Sequence, residues 1–185
     1  MPSDKDVESE LLSEIIAEPQ AAKPETLKES DISLLTEDRF AALAALLWER
    51  SGARVILTPR SGNEGIDVIA VKNDVIELIQ CRQSKSGVTN RSDHSDELLS
   101  ALNAYRSRRM RNLAARFTIK GVLVTDRYLT KPERARASEF DLKCVDRAPL
   151  IQLFKRYQFT AVDVEAMNSQ REPSMPAVQN VLNTL

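Results

Sequence analysis

The sequence predicts an α/β protein built as a three-layer sandwich, with a central mixed β-sheet flanked by helices. Three observations predict it. Segments with apolar residues at helical spacing alternate with short β-rich runs. Their order is helix, three strands, helix, strand, helix, strand, helix. The run GVLV at 121–124 is apolar at every position, as expected of a strand covered on both faces.

Each element has its own signal. Thr36 reads as an N-cap with Glu37 and Asp38 in the first turn, where the helix dipole favours acids. Phe40, Leu43, Leu46 and Leu47 follow at helical spacing, and Gly52 supplies the stop. A short strand is expected at 53–58, turn chemistry at 59–65, a strand at 66–71, a tight turn at 72–74 and a second hairpin strand at 75–82. The polar stretch 83–93 reads as loop. A helix is expected over 94–114, with Leu98, Leu99, Leu102 and Tyr105 on its apolar side, and a buried strand over 117–126. Thr130 and Glu133 form a capping box that opens a helix to about Phe140. A strand at 142–146 and a helix at 148–157 close the domain. Pro173 and Pro176 mark a loose tail with one optional helical turn. The domain organisation read from this is an acidic flexible leader at 1–35, a folded domain at 36–160 and a C-terminal tail at 161–185.

Charge is distributed unevenly. The 185 residues carry a net charge of -1. Residues 1–35 hold nine acids against three lysines, about -6, which leaves about +5 on the rest. Within the leader, VESELLSEIIAE (7–18) sets Leu11, Leu12, Ile15 and Ile16 at helical spacing, so it reads equally as a docking helix or a flexible arm. The acidic leader is also a candidate mask for a basic surface. No apolar run reaches the ~20 residues of a membrane span, and the first residues lack a signal-peptide pattern, so the expected location is cytoplasmic. The two cysteines, Cys81 and Cys144, are expected to be buried free thiols.

The hairpin raises the question of chemistry. Alternation puts Gln80 and Arg82 on one face of their strand, and a tight turn brings Asp67 near that strand's far end. An acid, an amide and a cation can thus converge at one end of the sheet. Mg²⁺ takes oxygen ligands, commonly one or two carboxylates with waters and substrate phosphate. A structural Asp–Arg pair is the alternative that spacing leaves open.

The segment Leu35–Tyr157 resembles the catalytic domain of the Mrr-type restriction endonucleases, within the PD-(D/E)xK nucleases. LTEDRFAALAALLWERSGARVILTPRSGNEGIDVIA resembles the opening helix, strand and Gly-x-x-Gly-x-Asp hairpin. IQCRQSK stands at the Gln-x-Lys motif, and GVLVTDRYLTKPERARASEFDLKCVDRAPLIQLF at the closing strand, helix, strand and helix. The resemblance implies a DNA nuclease fold with Mg²⁺ (or Mn²⁺) as cofactor. It implies Asp67 as metal ligand, Gln80 as ligand or positioning group, and Arg82 at the position of the catalytic lysine. Arginine stays charged and cannot act as a base, although it can clamp a phosphate. Ala41 replaces a supporting Glu, and Asn63 an Asp of the glycine-rich turn. Glu64 is the candidate replacement carboxylate, and Lys85 the candidate replacement cation.

AYRSRRMRNLAARF (104–117) holds Arg106, Arg108, Arg109, Arg111 and Arg116 with no acid. On a helix, Arg108 and Arg111 are neighbours, and so, roughly, are Arg109 and Arg116. With Lys85 they form the candidate DNA-backbone surface; a solvated, salt-bridged helix face is the alternative. His94 reads as a helix-start residue, Trp48 as a packing residue.

Three functional readings follow. The first is a divalent-metal-dependent DNA endonuclease in restriction or phage defence. The second is a catalytically impaired pseudo-nuclease serving as a DNA-binding or assembly subunit, and the third a protein-interaction module. Double-strand cutting by one site per chain implies a homodimer or a subunit of a larger assembly.

Overall fold

The computed structural model describes residues 25–84 and 94–185, and it is a mixed five-stranded sheet between two helical layers. After a 3₁₀ helix at Glu29–Leu34 come α1 (Glu37–Arg50), β1 (Arg54–Leu57), β2 (Val68–Lys72) and β3 (Val75–Arg82). They are followed by α2 (His94–Ala104), β4 (Thr118–Thr125), α3 (Lys131–Glu139), β5 (Lys143–Val145) and α4 (Arg147–Tyr157). Two further helices, α5 (Ala161–Asn168) and α6 (Met175–Leu182), complete the chain. The strands lie in sequence order; β1, β2 and β3 are antiparallel, and β4 and β5 add in parallel through helical crossovers.

Period-two alternation divides the core. Val68, Ala70 and Ile79 face α1, α4 and α5, where they meet Leu43, Leu47, Phe154 and Val164. Ile69, Ile76 and Leu78 face α2 and α6, where they meet Leu98, Leu102, Val178 and Leu182. α1 begins as its sequence dictates: the Thr36 side chain accepts from the Arg39 N–H at 3.4 Å. Gly52, just past its end, takes φ +91°, which a side chain would resist. The hairpin turn rests on Asn73, one of the few side chains that tolerates its φ of +54°.

Three expectations are corrected. The leader does not extend to residue 35 as a flexible arm, because the 3₁₀ helix buries Ile32, and Gln83 donates to the carbonyls of Ile32 and Leu35. Residues 1–24, including the 7–18 segment, and residues 85–93 lie outside the described residues. The helix expected to run to 114 stops at Ala104 and passes into a π-helical turn, Tyr105–Arg109. There the Met110 N–H donates to the Tyr105 carbonyl five residues back, so that both side chains, 0% exposed, stack on the core face. An α-helical continuation would have turned Met110 away. The tail is not loose. α5 opens with a capping box, Thr160 and Asp163, and α6 is capped by Ser174. Pro176 sits in the first turn of α6, where a missing N–H costs nothing. Among the described residues no helix is long and apolar enough to cross a membrane.

Candidate active site

The site forms where the glycine-rich turn enters the hairpin. Asp67 lies one residue before β2, and its N–H donates to the Ile79 carbonyl at 2.9 Å. Continuing the register, in which Val68 faces Ile79, sets Asp67 opposite Gln80, with Arg82 two residues further on. The structure therefore brings Asp67, Gln80 and Arg82 to the same end of the sheet.

Each carboxylate oxygen of Asp67 is held. Oδ2 accepts from the Cys81 N–H at 2.7 Å and Oδ1 from the Asn63 amide at 3.2 Å. Asn63 also accepts from the Gly65 N–H at 3.1 Å, so one side chain both shapes the turn and orients the acid. Thr58 clamps the same segment from below, donating to the Ile66 carbonyl at 2.6 Å. Burial pushes the Asp67 carboxyl above the ordinary carboxylate range; the Cys81 N–H and the charges of Arg82 and Arg171 oppose the rise without cancelling it.

Gln80 is 1% exposed and its Oε1 has no hydrogen-bond donor. It sits beneath Gly65, where a β-carbon would stand 3.4 Å from the amide nitrogen, at a φ of +83°. Glycine is therefore favoured by the conformation, while the space above Gln80 is an ordinary van der Waals contact. Arg82 is half-buried; its guanidinium donates to the Cys81 carbonyl at 3.2 Å and pairs with Glu97 of α2 at 3.5 Å.

A half-buried carboxylate and a buried, donorless amide oxygen at paired positions suit an oxygen-seeking divalent cation that draws its other ligands from water and phosphate. Glu64 lies on the same turn and is engaged through one oxygen. It takes φ +54°, and its Oε1 lies 2.6 Å from the guanidinium of Arg109. Among the described residues no cluster of three His, Cys, Asp or Glu could hold a metal.

The expected arginine ridge is split. Arg109 turns inward to Glu64 and stacks 5.8 Å from the Tyr105 ring. Arg106 donates to the Ile119 carbonyl, and Arg116 to the Leu185 carbonyl at 3.0 Å. Arg108 and Arg111 are exposed and bond to no other described residue. Because residues beyond 109 are not helical, the pairing of Arg109 with Arg116 on one helix face fails. Lys85 lies outside the described residues.

Sequence reasoning missed Arg171. This residue, beyond α5, enters the site with a side chain 9% exposed, donating to the carbonyls of Thr58 at 2.8 Å and Asp38 at 3.1 Å. Nothing local in its neighbourhood announces that role; only the packing of α5 against α1 places it.

A mixed sheet of this topology, with an acid at the mouth of its antiparallel hairpin and an amide on the adjoining strand, defines a restriction-endonuclease-like fold. The chain belongs to the restriction endonuclease family of the Mrr catalytic type, whose family model matches residues 32–154. Among solved structures it resembles the MspJI restriction endonuclease in complex with a 27-mer oligonucleotide. That likeness has a TM-score of 0.50 and 15% identity, covering 100% of this chain and 41% of that one. It also resembles the protein of unknown function AF1548, with a TM-score of 0.50 and 11% identity, covering 81% of this chain and 100% of that one. These likenesses show the fold, and this chain spans well under half of the MspJI chain's length. No curated protein matches the sequence.

Proposed function

We propose that this chain hydrolyses DNA phosphodiester bonds in a restriction or defence setting, using Mg²⁺ or Mn²⁺ held by Asp67 and Gln80. The observation that carries the reading is the register that sets Asp67 opposite Gln80, with Arg82 beyond, in a chain of a restriction endonuclease family. A bound divalent cation supplies an activated water and charge to neutralise the phosphate.

The chain's own residues do the rest. Asp67, oriented by Asn63 and the Cys81 N–H, presents its carboxylate to the cation. Gln80 offers its donorless oxygen from beneath the turn. Arg82 stabilises the charge that develops on phosphorus. Arg108 and Arg111, exposed beyond the π-helical turn, grip the duplex backbone. Cutting both strands calls for two such sites and hence a homodimer or a larger assembly. The absence of a membrane-length helix among the described residues is compatible with a cytoplasmic setting.

One observation favours the second reading, a pseudo-nuclease that binds DNA or serves in assembly. The turn's one spare carboxylate, Glu64, is engaged by Arg109, and arginine occupies the lysine position. Plasmid nicking with Mg²⁺ or Mn²⁺ by the wild type and by Asp67→Ala tests the nuclease. Arg82→Lys separates the readings: an active enzyme gains on the order of tenfold, whereas a silent protein that becomes active on this change is a pseudo-nuclease.

A further inference from the structure

At the opposite end of the sheet from Asp67 lies an open cavity of about 920 Å³. Its floor is apolar, formed by Leu47, Val75, Val145 and Leu153 among others. Its rim is basic: Lys72, Lys120, Lys143 and Arg156. Lys72 donates to the Ser51 carbonyl, and Lys143 pairs with Glu77 at 3.0 Å while lying 5.4 Å over the Trp48 ring. Lys120 and Arg156 are exposed and bond to no other described residue. Along β3 this cavity reaches Val75 and Glu77, roughly 17 Å of strand from Arg82, so it is no part of the candidate active site.

An apolar groove with a cationic rim selects an acidic amphipathic segment, apolar face down. The chain carries one. Residues 7–18 place Leu11, Leu12, Ile15 and Ile16 at helical spacing among Glu8, Glu10, Glu14 and Glu18. The described chain begins on the correct side. Thr26 bridges to Thr160, and the Leu27 N–H donates to the Phe159 carbonyl at 2.7 Å, three residues after the rim's Arg156. Residues 19–24 reach at most about 20 Å when extended, which sets the span they can cross.

We infer that the acidic leader segment 7–18 docks in cis into this basic-rimmed cavity. Docked there, its carboxylates stand at the end of the sheet away from Asp67. The inference does not depend on whether the protein cleaves DNA.

Gln152, an exposed residue of the cavity's rim on α4, provides the test, because the Cys144 side chain packs on the other face of the sheet. In the whole chain, Glu14→Cys combined with Gln152→Cys under mild oxidation is expected to form an intramolecular disulfide between positions 14 and 152, read on a non-reducing gel and by peptide mass mapping. Combining Lys120→Glu with Arg156→Glu should cut the yield on the order of tenfold, and Glu10→Lys with Glu18→Lys should restore it. These rim positions are exposed, so an unchanged melting temperature confirms the fold. No link, a link to Cys81 or Cys144, a link between chains, or a yield indifferent to the rim charges overturns the inference.

Discussion

The guanidinium of Arg109 closes on the carboxylate of Glu64 at 2.6 Å, tying the π-helical turn after α2 to the glycine-rich turn before β2. Glu64 Oε2 and Arg109 Nε are buried without a hydrogen bond, so the contact through Glu64 Oε1 is what compensates the two charges. Breaking a partly buried pair leaves an uncompensated charge. Arg109→Ala is therefore expected to cost about 2 kcal/mol by urea denaturation and to leave the salt dependence of DNA binding unchanged.

Arg108 and Arg111 should behave in the opposite way. Each is exposed, and removing a phosphate contact lowers the slope of log affinity against log salt by about 1. Gel shifts with a random duplex, over a salt series, are expected to show that reduction for Arg108→Ala and for Arg111→Ala, with melting temperatures unchanged.

Asp67 gives the protein a pH signature. Burial raises its carboxyl pKa above that of the unfolded chain, so the native state holds the proton more tightly. Its contribution is present in full below the ordinary carboxylate range and is lost as pH rises through the raised native value. Denaturation of wild type and Asp67→Asn across the acidic range should show a stability difference that shifts against the wild type as pH rises and then levels off. A bound divalent cation competes with the same proton, so metal affinity should climb over that interval.

α6 belongs to the fold. Val178 and Leu182 are both 0% exposed against Ile69, Leu98 and their neighbours. Leu182→Ala is expected to cost about 2–4 kcal/mol in chemical denaturation, whereas a residue in a loose tail would cost nothing.

The sequence made legible whatever local chemistry determines. Thr36, Gly52 and the Thr130–Glu133 box mark helix ends through their own hydrogen bonds, and the alternation of 75–82 fixes which side chains share a face. It did not show what distant packing decides. Arg109 and Arg108 are adjacent in sequence, yet Arg109 meets Glu64, forty-five residues away in the chain, while Arg108 stays exposed. Pro173 and Pro176 read as breakers because proline ends helices from within, but Pro176 sits in a first turn. Arg171 gave no local sign, since its partners Thr58 and Asp38 lie more than a hundred residues away. The Asp67–Gln80 juxtaposition could be read because a two-residue turn leaves little freedom of register.

The central claim is that Asp67, opposite Gln80, holds the cation that drives phosphodiester cleavage. Conversion of supercoiled plasmid to nicked and linear forms, with Mg²⁺ or Mn²⁺ titrated from micromolar to millimolar, measures it most directly. The account predicts metal-dependent nicking by the wild type and its loss, on the order of a hundredfold or more, in a folded Asp67→Ala variant. Nicking that survives in that variant, or a wild type that leaves the plasmid intact at every metal concentration, would contradict it.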